Sequence, residues 1–377
     1  DNAEPELVHD RFAQKRNIPK GKGKEIEFRK YDPLPKALTP ITEGVTPKGR
    51  KLSMTTLTAQ VDQYGDFVEI SDILDLTAID NNLQEATVLL GSQAGRTLDT
   101  ITREVINGGS NVQYGEGQVT GRHLLVGGET TGNHYFTVRA VRKAVRFLKT
   151  MNTPRYEGSY WAIIHPDCSY DIQDDPDWKR PHEYKDTSNI YDDEIGKIAG
   201  VRFIETTEAK VFHADDLTEG ARELKVKSAS GKTITVNETI TAGDAAKLAG
   251  RMVIIDGERC EIESATAAAA GSATITLKET PVSAPTASSI VYPGEAGAKG
   301  RNVYSTLIMG AEAYGTTELT GGGLEHIVKP LGSAGTADPL NQRATVGWKA
   351  TKVAERLVEA YMIRVETTST FDETPLT

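Results

Sequence analysis

Residues 41–109 read ITEGVTPKGRKLSMTTLTAQVDQYGDFVEISDILDLTAIDNNLQEATVLLGSQAGRTLDTITREVINGG, and the rest of the chain is organised around them. In the second half, Leu83, Ala86, Leu90, Ala94, Leu98, Ile101 and Val105 recur at three- and four-residue steps, which predicts one apolar stripe on a helix over 81–107. Asp80, Asn81 and Asn82 offer N-cap side chains, and Asn107-Gly108-Gly109 offers a stop. A helix of ~25 residues would run close to 40 Å, against an average of roughly 11 to 12 residues in globular proteins. The first half differs. Gly44, Pro47 and Gly49 among Lys48, Arg50 and Lys51 favour an extended, solvated backbone. Beyond it, Leu57, Ala59 and Val61, then Val68 and Ile70 after Gly65, alternate as strands do. An exposed arm of paired strands feeding one long helix suits a subunit that reaches over its neighbours better than it suits an enzyme core.

Thr42-Glu43-Gly44 with Pro47, Thr55–Ala59, Gln63-Tyr64-Gly65-Asp66, Leu89-Leu90-Gly91, Asp99-Thr100 and Asn107-Gly108-Gly109 together resemble the major capsid proteins of tailed double-stranded-DNA bacteriophages. Tyr160–Pro166 and Asp338–Lys349 extend the likeness, which covers most of 41–206 and 300–371. The resemblance implies an α+β fold with a long spine helix, an extended β loop, mixed α/β peripheral and axial domains, and an inserted small all-β domain. On that scheme residues 1–40 are an N-terminal arm, 41–75 the extended loop and 76–110 the spine helix. Residues 111–206 and 301–377 form the axial and peripheral domains, and 207–300 the insertion. It also implies self-assembly into hexamers and pentamers of an icosahedral shell in the virion, built in the host cytoplasm. Scaffolding, portal and decoration proteins are the implied further partners, with packaged DNA contacted indirectly and no membrane. The loop would overlap the adjacent subunit, which makes Lys48, Arg50, Lys51, Tyr64 and Phe67 the candidate interface residues. Some relatives cross-link Lys to Asn, but neither the Asn nor a catalytic carboxylate is identifiable here.

The totals are compatible with that role. At 377 residues the chain has room for two or three domains with a sizeable core. A net charge of −10 argues against a protein that coats nucleic acid, since phosphate binding needs clustered Lys and Arg. Cys168 and Cys260 lie far apart, so a disulfide scaffold is not expected and a reducing compartment is. The stretch through Glu27 is too polar for a secretory leader, and no apolar run approaches the ~20 residues of a membrane span.

Elsewhere the chain alternates. Between Arg11 and Lys36 there are nine Lys or Arg against three Asp or Glu, with Ile26 and Phe28 alternating as an edge strand, which reads as a basic arm that orders on assembly. A second helix is expected from about Thr137 to Met151, with Val138, Val141, Ala144, Val145 and Leu148 inward and Arg139, Arg142, Lys143, Arg146 and Lys149 outward. Tyr160–Ile164 and Val201–Ile204 read as strands, and residues 167–194 as a solvated acidic face. Between Phe212 and Tyr292 there is no Phe, Trp or Tyr; short alternating runs and Asp256-Gly257 predict five or six strands around a thin aliphatic core. Asn302–Ala313 and Ala344–Thr367 read as further strands.

No convergent chemistry emerges, and no cofactor is expected. Ser230-Gly231-Lys232-Thr233 ends like a phosphate loop, but Val226 stands where its first Gly belongs and no helix follows. Gly108-Gly109-Ser110-Asn111-Val112 fails the nucleophile-elbow pattern at its last position. Seven scattered histidines form no i, i+4 pair. The acids from Asp171 to Asp177 include Pro176 and lack a Ca²⁺-loop glycine. Two rival classes remain: a cell-surface or tail-associated protein that binds carbohydrate or a receptor through the β insertion, and a hydrolase using the 167–194 carboxylates.

Overall fold

An apolar stripe on a 26-residue helix is about 39 Å long, and its neighbours in sequence cannot cover it. The computed structural model, which describes residues 7–16, 25–31, 34–41, 43–46, 49–71, 82–127, 134–182, 194–317, 324–330, 332–333, 340 and 342–371, covers it from far along the chain. The chain divides into two units, one comprising everything up to Gly108 plus Ala311–Glu359, the other Gly109–Gly310 plus the C-terminal segment from Ala360.

The first unit begins with β1 (Gln14–Arg16), β2 (Glu25–Tyr31), β3 (Met54–Gln60), β4 (Asp62–Ser71) and helix α1 (Asn82–Asn107). The second unit contains β5 (Val112–Tyr114), α2 (Val138–Thr150), β6 (Tyr160–Ile164), α3 (Pro166–Asp174), α4 (Pro176–His182), β7 (Glu194–Ile198), β8 (Val201–Glu205) and β9 (Val211–Phe212). It continues through β10 (Leu224–Ser230), β11 (Thr233–Val236), α5 (Ala242–Leu248), β12 (Met252–Ile255), β13 (Glu258–Thr266), β14 (Thr274–Leu277), β15 (Ile290–Pro293) and β16 (Val303–Met309). The chain then returns to the first unit with β17 (Tyr314–Thr317), β18 (Leu324–Lys329), β19 (Arg343–Lys352) and β20 (Ala354–Arg356), and β21 (Met362–Thr367) completes the second.

In the first unit, β4 and β18 flank β19 in an antiparallel sheet. Val346, Trp348 and Ala350 of β19 pack on Leu90, Ala94 and Leu98 of α1, so the expected stripe is buried from Ala86 through Leu98; beyond it Ile101 and Val105 are half-buried, and Thr102 and Ile106 take the buried positions. The Trp348 indole donates to Gln93 Oε1 at 3.2 Å, and the Gln93 amide donates to Asp66 Oδ2 at 2.7 Å, tying both strands to the helix. The proposed N-cap residues Asp80 and Asn81 lie outside the described residues.

A buried His–Asp hydrogen bond and a buried Lys–Asp pair pin the N-terminal segment to the same helix and to β19. His9 Nδ1 lies 2.6 Å from Asp99 Oδ2, with both side chains fully buried, and the His9 amide donates to Asp99 Oδ1 at 2.7 Å. Next to it, Lys352 pairs with Asp10, which also accepts from the Thr102 hydroxyl at 2.6 Å, and the Tyr314 hydroxyl donates to the His9 carbonyl. Removing one member of a buried pair strands the other charge.

The second unit is a seven-stranded mixed sheet, β5-β21-β16-β6-β8-β7 with β9 also on β16. Helix α2 buries Val138, Val141, Ala144, Val145 and Leu148 on it, as its periodicity requires, and Thr137 caps its N-terminus by accepting from the Ala140 amide at 3.2 Å. On the sheet, the buried Glu366 carboxylate accepts from Arg122 Nε at 2.7 Å and from Arg364 Nε at 2.7 Å. Strands β10-β11-β14-β13-β12-β15 close a separate barrel between β9 and β16. Asp256 and Gly257, at φ 48° and 83°, form the two-residue turn between β12 and β13, in the left-handed conformation that an Asp-Gly pair adopts readily. Its core is aliphatic, drawn from residues such as Leu224, Ile234, Val253, Ile262, Ile275 and Val291.

Three expectations need correction. The segment expected to be all-β carries helix α5, whose capping box joins Thr241 and Asp244; the short Ala-rich run gave too little periodicity to reveal it. The Ala344–Thr367 run is broken by a 3₁₀ turn at Glu359–Tyr361. The expected solvated acidic face is, where described, two short helices, with Asp171 buried against the C-terminal segment and accepting from the Thr370 amide at 3.2 Å.

The buried charges can be tested directly. Asp10→Ala should cost about 3–5 kcal/mol in equilibrium denaturation, and adding Lys352→Met should recover most of the loss. Burial holds the Asp171 carboxyl above the usual carboxylate range, against the opposing hydrogen bonds from Thr370 and Ser369. The folded state therefore binds this proton more tightly than the unfolded chain does, and its contribution to stability falls as pH rises from about 4 through the raised value. Asp171→Asn should flatten the denaturation midpoint across that window.

Candidate subunit interface

The sheet β4-β19-β18 has one covered face, and alternation along each strand decides which residues lie on it. Even-numbered β19 residues face α1, and their β4 partners share that side: Tyr64 opposite Ala350, Asp66 opposite Trp348 and Val68 opposite Val346. The odd-numbered residues form the other face. There Phe67, Gly347 and Ile327 stand in one row across all three strands. Phe67 is 65% exposed, and the centre of the row has no side chain. A Cβ on Gly347 would lie 2.8 Å from Phe67 Cβ and 2.9 Å from the Asp66 carbonyl oxygen, so the glycine allows the close approach of β4. Charged pairs rim the row, with Arg343 Nε 3.1 Å from Glu69 and Lys349 Nζ 3.0 Å from Glu325, both partly exposed and each contributing little to stability. The result is an open groove of about 720 Å³ with an apolar floor and a mixed-charge rim.

Upstream, residues 34–41, 43–46 and 49–53 take no regular secondary structure, yet expose Leu34, Leu38, Ile41, Val45 and Leu52. Exposed apolar side chains in such number mark a surface meant to be covered.

The five residues singled out from the sequence separate. Phe67 sits in the groove and Lys51 is exposed. Arg50 is exposed as well and donates to the Pro35 carbonyl at 3.3 Å. Tyr64 is half-buried and turned onto the α1 cluster of its own chain, which its place opposite Ala350 dictates. Lys48 lies outside the described residues. Ile327, Arg343, Gly347 and Lys349 were missed, because their sequence runs give no sign that they stand beside β4; the only local signal is a glycine within a strand-like run.

Reactive chemistry is scarce at this surface and beyond it. Among the described residues no group of His, Cys, Asp and Glu could hold a metal ion. Both thiols are free and buried; burial raises Cys260 to about 11 and Cys168 higher still, so neither is a ready nucleophile. Among the same residues no helix is long and apolar enough to cross a membrane.

The described residues thus combine, in one unit, a long helix covered by distant strands with exposed apolar chain and, in the other, an α/β sheet and a barrel. A family model described as phage capsid protein matches residues 54–216. The capsid structure of cyanophage P-SCSP1u aligns at TM-score 0.54 and 12% identity, over 96% of this chain and 88% of that one. The capsid of Ralstonia phage GP4 aligns at 0.55 and 12%, over 97% and 87%. The capsid of cyanophage Pam1 aligns at 0.53 and 13%, over 99% and 93%. No curated protein matches the sequence. The fold of this chain is that of phage capsid subunits.

Gly347→Val should force β4 off β19. We expect about 1–3 kcal/mol lost in denaturation and faster proteolysis within residues 54–71, with Gly347→Ala intermediate.

Proposed function

We propose that this chain is the major capsid protein of a tailed double-stranded-DNA phage, assembling into the hexamers and pentamers of an icosahedral shell. The observation that carries the reading is a capsid fold matched over 96–99% of the chain by three phage capsids. The exposed apolar stretch from Leu34 to Leu52 supports it, because a lone subunit gains nothing from keeping five large apolar side chains in water. In this role that stretch and the Phe67 groove meet neighbouring copies. A contact between different patches on identical chains is heterologous, and it closes into rings when the rotation allows. Many modest contacts repeated by symmetry then give a shell able to hold packaged DNA. The role implies assembly in the host cytoplasm, with scaffolding, portal and decoration proteins as further partners.

The carbohydrate- or receptor-binding alternative draws no support from the comparisons. The barrel interior is filled with aliphatic side chains, and residues 214–291 contain no aromatic ring on which a sugar would stack.

Sedimentation and negative-stain imaging of the purified chain, over a range of salt and protein concentration, test the proposal. Rings, sheets or closed shells are expected, together with protection of residues 41–70 from protease on assembly. A chain that stays monomeric in every condition with 41–70 cleavable throughout would overturn it.

A further inference from the structure

Helix α2 carries Arg139, Arg142, Lys143, Arg146 and Lys149 and no acidic residue, in a chain whose net charge is −10. Three of the five are held by their own subunit. Arg139 Nε lies 3.4 Å from Glu116, Arg142 lies 3.1 Å from Asp177, and Lys143 donates to the Glu116 carbonyl at 2.8 Å. Arg146 and Lys149 are exposed and, among the described residues, have no ion-pair partner. They line an open groove of about 510 Å³ with Arg142, Val145 and Thr150 on the helix side. The opposite wall is Ala199, at φ 52° in the turn between β7 and β8. Like charges three and four residues apart on a helix repel by about 0.2–0.5 kcal/mol per pair. The array, with Arg142 in an exposed pair that contributes little and with Arg146 and Lys149 in none among the described residues, therefore weakens the isolated subunit slightly and invites an anionic partner.

Two polyanions would fit, the acidic segment of a neighbouring copy or a nucleic-acid backbone. The described acids of residues 167–177 are largely engaged within their own chain. Asp177 holds Arg142, Asp175 accepts from the Val138 amide at 3.0 Å, Asp174 pairs with Lys179 at 2.6 Å, and Asp171 is buried on Thr370. Of the two, a row of cations at regular steps along one helix face matches the regularly repeating charge of a nucleic-acid backbone. From Arg142 to Lys149 the helix advances about 10 Å, the axial rise of roughly three phosphates on one DNA strand. Two guanidinium forks among the three cations suit phosphate oxygens.

We propose that the Arg142–Arg146–Lys149 groove is a contact for the phosphate backbone of double-stranded DNA, so that the α2 side of the second unit looks toward the packaged genome. This rests on the capsid reading above. The contact reads no base sequence and is weak, in the range of ~10⁻⁴–10⁻⁶ M at physiological salt.

The test uses the full chain and a short fluorescent duplex of random sequence, with anisotropy measured across salt concentrations. A double variant, Arg146→Gln with Lys149→Gln, is compared with Lys225→Gln plus Lys247→Gln, which removes the same charge from the exposed surface of the barrel. The α2 variant should lower the magnitude of the log–log salt slope by about two, at roughly 0.9 for each phosphate no longer neutralised, and the barrel variant should leave it unchanged. Equal loss in both variants, or none in either, overturns the proposal. Failure of the α2 variant to form rings or shells, with DNA binding intact, reassigns the groove to a neighbouring copy and also overturns it. If no form of the chain assembles while the slope change appears only in the α2 variant, the capsid reading falls and the phosphate contact stands.

Discussion

Everything in the first unit follows from the need to cover one side of α1. Leu90, Ala94 and Leu98 form a stripe that nothing adjacent in sequence can shield, and β19, some 250 residues further on, shields it with Val346, Trp348 and Ala350. Once β19 lies there, ten paired positions bring β4 alongside and set its register, because a slip of one residue would turn Tyr64 and Val68 outward and Phe67 inward. The N-terminal segment is held to the same helix through His9 on Asp99 and Asp10 on Thr102, and to β19 by the charge pair of Asp10 with Lys352. Buried charges are poor sources of net stability, but they tolerate few alternative partners, so they fix where the segment sits more than they strengthen it.

The two faces of the same sheet differ in character. Its inner face is saturated by the helix, while its outer face offers a phenyl ring beside a glycine and an isoleucine, ringed by paired charges that cancel locally. Such a surface is apolar enough to bind and neutral enough to approach a copy of itself. The barrel, whose aliphatic core is satisfied within its own six strands, makes no such demand.

Much of this was legible in the residues, and the losses have physical causes. The α1 stripe, the α2 stripe and the Tyr160–Ile164 strand were readable because periodicity is local and each buries the residues its period selects. The segment without Phe, Trp or Tyr announced a separate core, and Asp256-Gly257 announced its β12–β13 turn. What could not be read was pairing between distant segments. Ile327 and Phe67 lie 260 positions apart and meet only through β19, so neither run carries a trace of the groove. Tyr64 was chosen as an interface residue from its place in a loop-like stretch; its inward direction depends on a register set by a strand near the end of the chain. Asp171 looked solvated among other acids because sequence does not show that Thr370 will come to cover it.

The chain leaves the sheet of the second unit after Phe212 to form the barrel and returns to it at Val303, and those two residues are paired across β9 and β16. To the sheet, the entire barrel is therefore equivalent to a short turn joining neighbouring strands. Its ordering places almost no loop-closure cost on the sheet, since the strand pair already holds the two ends together. A domain attached in this way can be enlarged, exchanged for an unrelated one with adjacent termini, or shortened to a few residues while the sheet keeps its topology. The barrel can thus change over evolutionary time independently of the sheet that carries it.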